Sequence, residues 1–146
     1  MKAILAKMAL VGLPALVAVA VAVPASAQPA AVPASSAADC PAGYLCFWAN
    51  AGWGNPRGQV SGNNGSWTKF SQAACNGGTW NDCASSIYNH GSFDNARVFR
   101  DNDGKGGGRC LPIGTKWDNL TAQYFDNGVK MNDAISSNDW ITSACS

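Results

Sequence analysis

The feature that most narrows what this chain can fold into is a hexapeptide that occurs twice. Asn81-Asp82-Cys83-Ala84-Ser85-Ser86 returns as Asn132-Asp133-Ala134-Ile135-Ser136-Ser137, a displacement of 51 residues. The same shift carries Trp48 onto Phe99, Gln72 onto Gln123, Asn76 onto Asn127 and Gly77 onto Gly128, so that seven of the fifteen positions from Gln72 to Ser86 are identical. Two matches in one register, with an aromatic position 33 residues upstream of each hexapeptide, imply a duplicated unit of about fifty residues. One such unit cannot bury its apolar face alone. Two packed against each other can.

Composition indicates which elements the units are made of. Every acid is Asp and none is Glu, and Asn and Gly are abundant, a balance that disfavours helix and favours turns. Short apolar runs, Leu45-Cys46-Phe47-Trp48, Ser86-Ile87-Tyr88 and Arg97-Val98-Phe99, alternate with turn-rich stretches such as Gly62-Asn63-Asn64-Gly65 and Asp101-Asn102-Asp103-Gly104. The expectation is an all-β sandwich with few helices.

The N-terminus reads as an export signal. Lys2 and Lys7 precede an apolar run from Met8 to Val23, and Ala25-Ser26-Ala27 closes it, which predicts a signal peptide over 1–27. That run is shorter than the roughly 20 residues a membrane-spanning helix needs. Residues 28–39, rich in Ala, Pro and Ser, read as a flexible leader, and 40–146 as a secreted, extracellular domain. Of 10 basic residues, Lys2 and Lys7 leave with the signal, so 8 face 9 acids and the formal charge is −1. This argues against nucleic acid or an anionic membrane as partner, and the mature chain is read as a monomer.

All six cysteines lie in the mature domain, and in an exported chain an even count reads as three disulfides. Fifteen pairings are open. Cys40 with Cys46 and Cys75 with Cys83 are close enough in sequence for local loops, which would leave Cys110 with Cys145. The last pair closes the longest loop and is expected to stabilise most.

Asn-Asp-x-x-Ser-Ser resembles the calcium motif of microbial βγ-crystallins, in which two Greek-key motifs pair as a two-sheet sandwich. Trp48-Ala49-Asn50-Ala51-Gly52-Trp53 is similar to the aromatic opening of such a motif, and Phe99-Arg100-Asp101-Asn102-Asp103-Gly104 to its partner. The second copy departs from the pattern at Lys105-Gly106-Gly107-Gly108, which predicts a longer or looser hairpin. Cys40-Pro41-Ala42-Gly43-Tyr44-Leu45-Cys46 resembles the opening of the secreted metalloproteinase inhibitors of the Streptomyces type. The resemblances imply a disulfide-braced βγ-crystallin-like domain, with motif 1 at about 44–93 and motif 2 at about 95–145.

They also imply Ca2+ as cofactor. The hexapeptide offers only hard oxygen donors, which is what calcium takes. One ion would be held by the Asn81 or Asp82 side chain, the Cys83 carbonyl and the Ser136 hydroxyl. Its mirror would use Asn132 or Asp133, the Ala134 carbonyl and Ser85, with a carbonyl from Ala49 or Arg100 completing each shell. Ser86 and Ser137 are implied to be structural. The competing reading of each hexapeptide is a simple Asx-turn closed by its own side chains.

No catalytic constellation stands out. His90, the only histidine, is read as an exposed turn residue, and Trp53, Trp67, Trp80 and Trp117 as packing residues rather than a carbohydrate platform. The leading functional reading is a calcium-binding, non-enzymatic inhibitor of an extracellular peptidase, presenting Arg109, Cys110 and Leu111 on a rigid loop. Two other classes fit the fold: a structural calcium-binding protein of the cell envelope or spore coat, and a toxin-like antimicrobial protein.

Overall fold

A computed structural model describes residues 35–145. The signal peptide expected over 1–27 and most of the leader lie outside the described residues. Among the described residues seven strands form two antiparallel sheets: β1 (Tyr44–Asn50), β2 (Gly54–Val60), β3 (Ser86–His90), β4 (Asn95–Phe99), β5 (Gly108–Leu111), β6 (Lys116–Trp117) and β7 (Ser137–Ile141). The first sheet runs β2-β1-β3-β6 and the second β5-β4-β7. Each motif therefore keeps three strands in its own sheet and lends a segment to the other. Motif 2 lends β6, which pairs with β3, and motif 1 lends Asn64, which bridges to Asn138 in β7. This exchange is the Greek-key arrangement, and it follows the repeat: Trp48 faces Ser86 and Phe99 faces Ser137, 51 residues apart in both members.

Side-chain alternation explains which face each strand buries. In β1, Leu45 and Phe47 point between the sheets, where they meet Ala96 and Val98 of β4 in one core. Cys46 and Trp48 point the other way, into a second buried cluster with Cys40 and Tyr88. The leader reaches this cluster. Ser36 caps a short 3-10 turn, Ala37–Asp39, whose Asp39 carboxylate accepts from the Ser36 amide at 2.7 Å. The Trp48 indole donates to Ser35 Oγ at 2.8 Å, and Arg57 donates to the Asp39 carbonyl. Residues 35–39, expected to be flexible, are thus docked over the outer face of the first sheet because that face is apolar and needs a cover.

The strand β2 was less readable because it contains Pro56, whose peptide bond with Asn55 is cis. Its place at the sheet edge is where a residue without an amide proton is tolerated. Within it Gly58 is held small by its neighbours: a Cβ there would sit 2.2 Å from the Phe47 ring.

The three disulfides pair as Cys40–Cys46, Cys75–Cys83 and Cys110–Cys145, with Cα separations of 5.8, 5.6 and 5.5 Å. In the second half of each unit the register is not constant. A short 3-10 turn at Trp67–Lys69 matches one at Leu120–Ala122, a shift of 53, and the bridges Ser71–Thr79 and Tyr124–Lys130 enclose seven and five residues. Motif 1 has two extra residues here, in the loop that carries Cys75. The identity of Gln72 and Gln123 is therefore not a structural equivalence: Gln123 occupies the place of Phe70, and both amides close the 3-10 turn.

Candidate metal centre

The two hexapeptides meet across the sandwich and exchange hydrogen bonds. Asp82 N donates to the Ile135 carbonyl and Asp133 N to the Ala84 carbonyl, each at 3.0 Å. The Ser136 hydroxyl donates to Asp82 Oδ1 at 2.9 Å, and the Ser85 hydroxyl to Asp133 Oδ1 at 3.1 Å. Every one of these bonds crosses from one motif to the other. A pseudo-twofold relation holds throughout, and it extends to the side chains within each motif: Asn81 Nδ2 donates to Asp82 Oδ2, and Asn132 Nδ2 to Asp133 Oδ2, both at 2.7 Å.

Local backbone conformation makes this possible. Asp82 and Asp133 have φ of 54° and 51°, a left-handed turn that Asp adopts more readily than most residues. That turn throws the carboxylates outward, where both are exposed, while Ser85 and Ser136 behind them are buried. The final serines act on their own motif. Ser86 Oγ donates to the Asn50 carbonyl at 2.9 Å and Ser137 Oγ to the Asp101 carbonyl at 2.6 Å, fixing each hexapeptide to its opening hairpin.

The hairpins bring the remaining sequence-predicted donors. Ser85 N donates to the Trp48 carbonyl and Ser136 N to the Phe99 carbonyl, so Ala49 stands next to Ser85 and Arg100 next to Ser136. Ala49, Asp82, Cys83 and Asp133 line one shared groove. The hairpins differ in length. Ala51–Trp53 joins β1 to β2, whereas eight residues, 100–107, join β4 to β5.

Three observations bear on whether these residues fit a hard cation. Among the described residues neither the Cys83 nor the Ala134 carbonyl accepts a hydrogen bond. Asn81 Oδ1 is buried without a partner. Each serine hydroxyl lies about 3 Å from a carboxylate oxygen, the spacing of neighbouring ligands around an ion bound at roughly 2.4 Å. The donor set is oxygen only, and Cys83 enters through its carbonyl because its sulfur is in the disulfide.

Other expectations need correction. Arg109, Cys110 and Leu111 do not form a presented loop: they lie in β5, paired with Val98, Arg97 and Ala96 of β4. Leu111 has no exposed surface and belongs to the core, so it cannot enter a partner's cleft. Its glycine- and proline-rich neighbours read as a loop, but the strand is set by pairing with β4. His90 is not an exposed turn residue. It ends β3, half-buried and stacked on Tyr88, and its Nδ1 donates to the Cys40 carbonyl at 2.8 Å. Trp67 and Trp80 are buried in the core around Phe47, and Trp53 and Trp117 are partly covered.

Two asparagines that the sequence did not single out hold the frame. Asn138, wholly buried, accepts from the Trp67 indole at 2.9 Å and donates to the Gly62 carbonyl at 3.0 Å. Asn89, equally buried, donates to the Leu111 carbonyl at 2.8 Å.

Two paired Greek keys with crossed Asn-Asp-x-x-Ser-Ser turns define a domain of the βγ-crystallin class. A solved structure concerned with the evolution of the eye lens βγ-crystallin domain fold is 26% identical, with a TM-score of 0.56, covering 71% of this chain and 91% of that one. Spherulin 3a from Physarum polycephalum is 22% identical, with a TM-score of 0.50, covering 77% and 97%. No curated protein matches the sequence. Residues 33–111, over half of the chain, match the model of peptidase inhibitor family I36, and the chain belongs to that family. It is a peptidase inhibitor by family, not an enzyme, on a βγ-crystallin fold. Family and disulfides together fit an extracellular setting.

Proposed function

We propose that this protein is a secreted inhibitor of an extracellular metallopeptidase whose framework is held by two calcium ions. The observation that carries the calcium reading is the crossed pair, Ser136 Oγ to Asp82 and Ser85 Oγ to Asp133. Each would-be ligand set draws on both motifs, so an ion bound there ties one half of the sandwich to the other and favours the folded state by mass action. Asp82, the Cys83 carbonyl, Ser136 and the Arg100 carbonyl would hold one ion. Asp133, the Ala134 carbonyl, Ser85 and the Ala49 carbonyl would hold the other. One carboxylate per site, in an extracellular setting, points to weak or moderate affinity.

The peptidase reading rests on the family and on the rigidity of the scaffold. An inhibitor binds a cleft tightly when its contact segment is ordered before it arrives, because little entropy is then lost on binding. Three disulfides and a clamped core provide that order. The predicted signal over 1–27 supports secretion.

Calcium titration calorimetry tests the clamp. Two ions per chain are expected, and Asp82→Gly combined with Asp133→Gly abolishes both while the protein still melts cooperatively, since Gly tolerates the left-handed φ. No binding to the wild type, or two ions bound by the double variant, refutes it. Stoichiometric loss of activity of a secreted metallopeptidase on adding the protein tests the inhibitor reading.

A further inference from the structure

Three large apolar side chains stand exposed among the described residues: Phe93 at 92%, Ile113 at 45% and Tyr124 at 45%. Of these only Phe93 falls within residues 33–111, the part that matches the inhibitor family. It lies in the four-residue link, 91–94, that joins β3 to β4 and so connects the two motifs and the two sheets. A single exposed apolar residue is ordinary on a protein surface. The anchoring of its flanks is what sets this one apart.

Upstream, Gly91 N donates to Asn89 Oδ1 at 2.9 Å, and Asn89 is itself held in the core by the Leu111 carbonyl. His90 is bonded in both directions to the Cys40–Cys46 loop, through its ring to the Cys40 carbonyl and through its own carbonyl to Gly43 N at 2.7 Å. The backbone at Gly91 is pressed against the body: a Cβ there would meet the Trp140 ring at 2.6 Å. Downstream, Asn95 Nδ2 donates to the Ser143 carbonyl at 2.9 Å and Asn95 Oδ1 accepts from Ile113 N at 3.1 Å, beside the two ends of the Cys110–Cys145 bridge. Both ends of the link thus run, through side-chain bonds, to a disulfide. Ser92 and Phe93 form a projecting tip on a fixed base, next to a shallow groove edged by Gly43 and Ser61, small residues that leave room for a partner's rim.

An aromatic ring that is almost wholly in water, on a backbone that has already lost its freedom, has the two properties of a binding hot spot. Its burial removes apolar surface from water, and its ordering entropy has been lost at folding. We propose that Phe93 is the anchor of this inhibitor: its ring enters the apolar subsite of the peptidase cleft, with the 91–94 link lying along it. This deepens the inhibitor reading above and rests on it. The partner class it implies is a peptidase selective for large apolar side chains.

The test measures inhibition constants of the full secreted chain against a thermolysin-type metallopeptidase and a chymotrypsin-type serine peptidase, both of which accept such side chains. Inhibition of the metallopeptidase by the wild type is expected, and inhibition of the serine peptidase alone would overturn the metallopeptidase target while leaving the anchor to be tested on that enzyme. Phe93→Ala is expected to weaken it about 30-fold or more, the loss of a hot-spot residue. Phe93→Leu, which keeps an apolar anchor, loses less than about tenfold, and Tyr124→Ser is unchanged. Melting temperature stays the same in Phe93→Ala because the exposed ring supports nothing. Inhibition that survives Phe93→Ala within about threefold overturns the anchor and leaves the inhibitor reading standing. A wild-type protein that inhibits neither enzyme removes the inhibitor reading for this specificity and the anchor with it.

Discussion

At three core positions related by the repeat, motif 1 is aromatic where motif 2 is aliphatic. Phe47 stands against Val98, Trp80 against Met131 and, two residues out of register, Trp67 against Leu120. Motif 1 builds an aromatic block, with Phe47 stacked on Trp67 at 4.2 Å and meeting Trp80 edge-on at 4.8 Å. Motif 2 fills the space opposite with Val98, Leu111, Leu120, Met131 and Ile135. The relation reverses at Ala84, small where Ile135 is large, and at Phe125, a buried aromatic of motif 2 with no aromatic counterpart in motif 1. The outer faces diverge as well. The first sheet is covered by residues 35–39 and the Cys40–Cys46 loop, the second by Arg97 lying over Phe99 at 5.6 Å. By contrast the hydrogen bonds of the crossed hexapeptides agree to within 0.2 Å between the two halves. Duplication has left the core free to become complementary while the clamp remained symmetrical. Core positions need only fill a shared volume, whereas a clamp bond has one donor and one acceptor.

The largest effect should come from the aromatic block. Trp67→Ala is expected to cost about 5 kcal/mol in urea unfolding, and its counterpart Leu120→Ala about 3 kcal/mol. Equal losses would mean that the aromatic half carries no extra share of the core. The braces sharpen the contrast on the covalent side. Replacing both Cys110 and Cys145 with Ala is expected to lower stability by about 4 kcal/mol, and replacing Cys75 and Cys83 by about 2.5 kcal/mol, because the bridges span 35 and 8 residues. A larger loss from the Cys75–Cys83 pair would show that this bridge holds the hexapeptide turn in shape rather than only limiting the unfolded chain.

Much of this was legible beforehand because two identical polar turns in one register leave few ways to fold. Strands β1, β3 and β4 fall on the short apolar runs at Leu45–Trp48, Ser86–Tyr88 and Arg97–Phe99, whereas the pairing of Trp48 with Ser86 is seen only in the structure. What escaped were features decided by tertiary contact. Leu111 sits among residues that read as a loop, and only the pairing of β5 with β4 buries it. Residues 35–39 have a linker's composition, yet the apolar outer face of β1 recruits them. The two extra residues in the loop that carries Cys75 were masked by a coincident Gln at 72 and 123. In the candidate site the side chains could be chosen from the sequence. Their crossing, Asp82 with Ser136 and Asp133 with Ser85, is what the resemblance implies, and the three-dimensional arrangement adds the direct hydrogen bonds that join each pair.

That crossing is most directly tested by calcium titration calorimetry of Ser136→Ala. The variant removes one hydroxyl of motif 2 and leaves every residue of the motif 1 hexapeptide in place. The account predicts two ions in the wild type, one site weakened at least about tenfold in this variant, and the same single site lost, with the other unchanged, when Asp82→Gly is added to it. Both sites unchanged in the single variant, or both sites lost in the combined one, would contradict it.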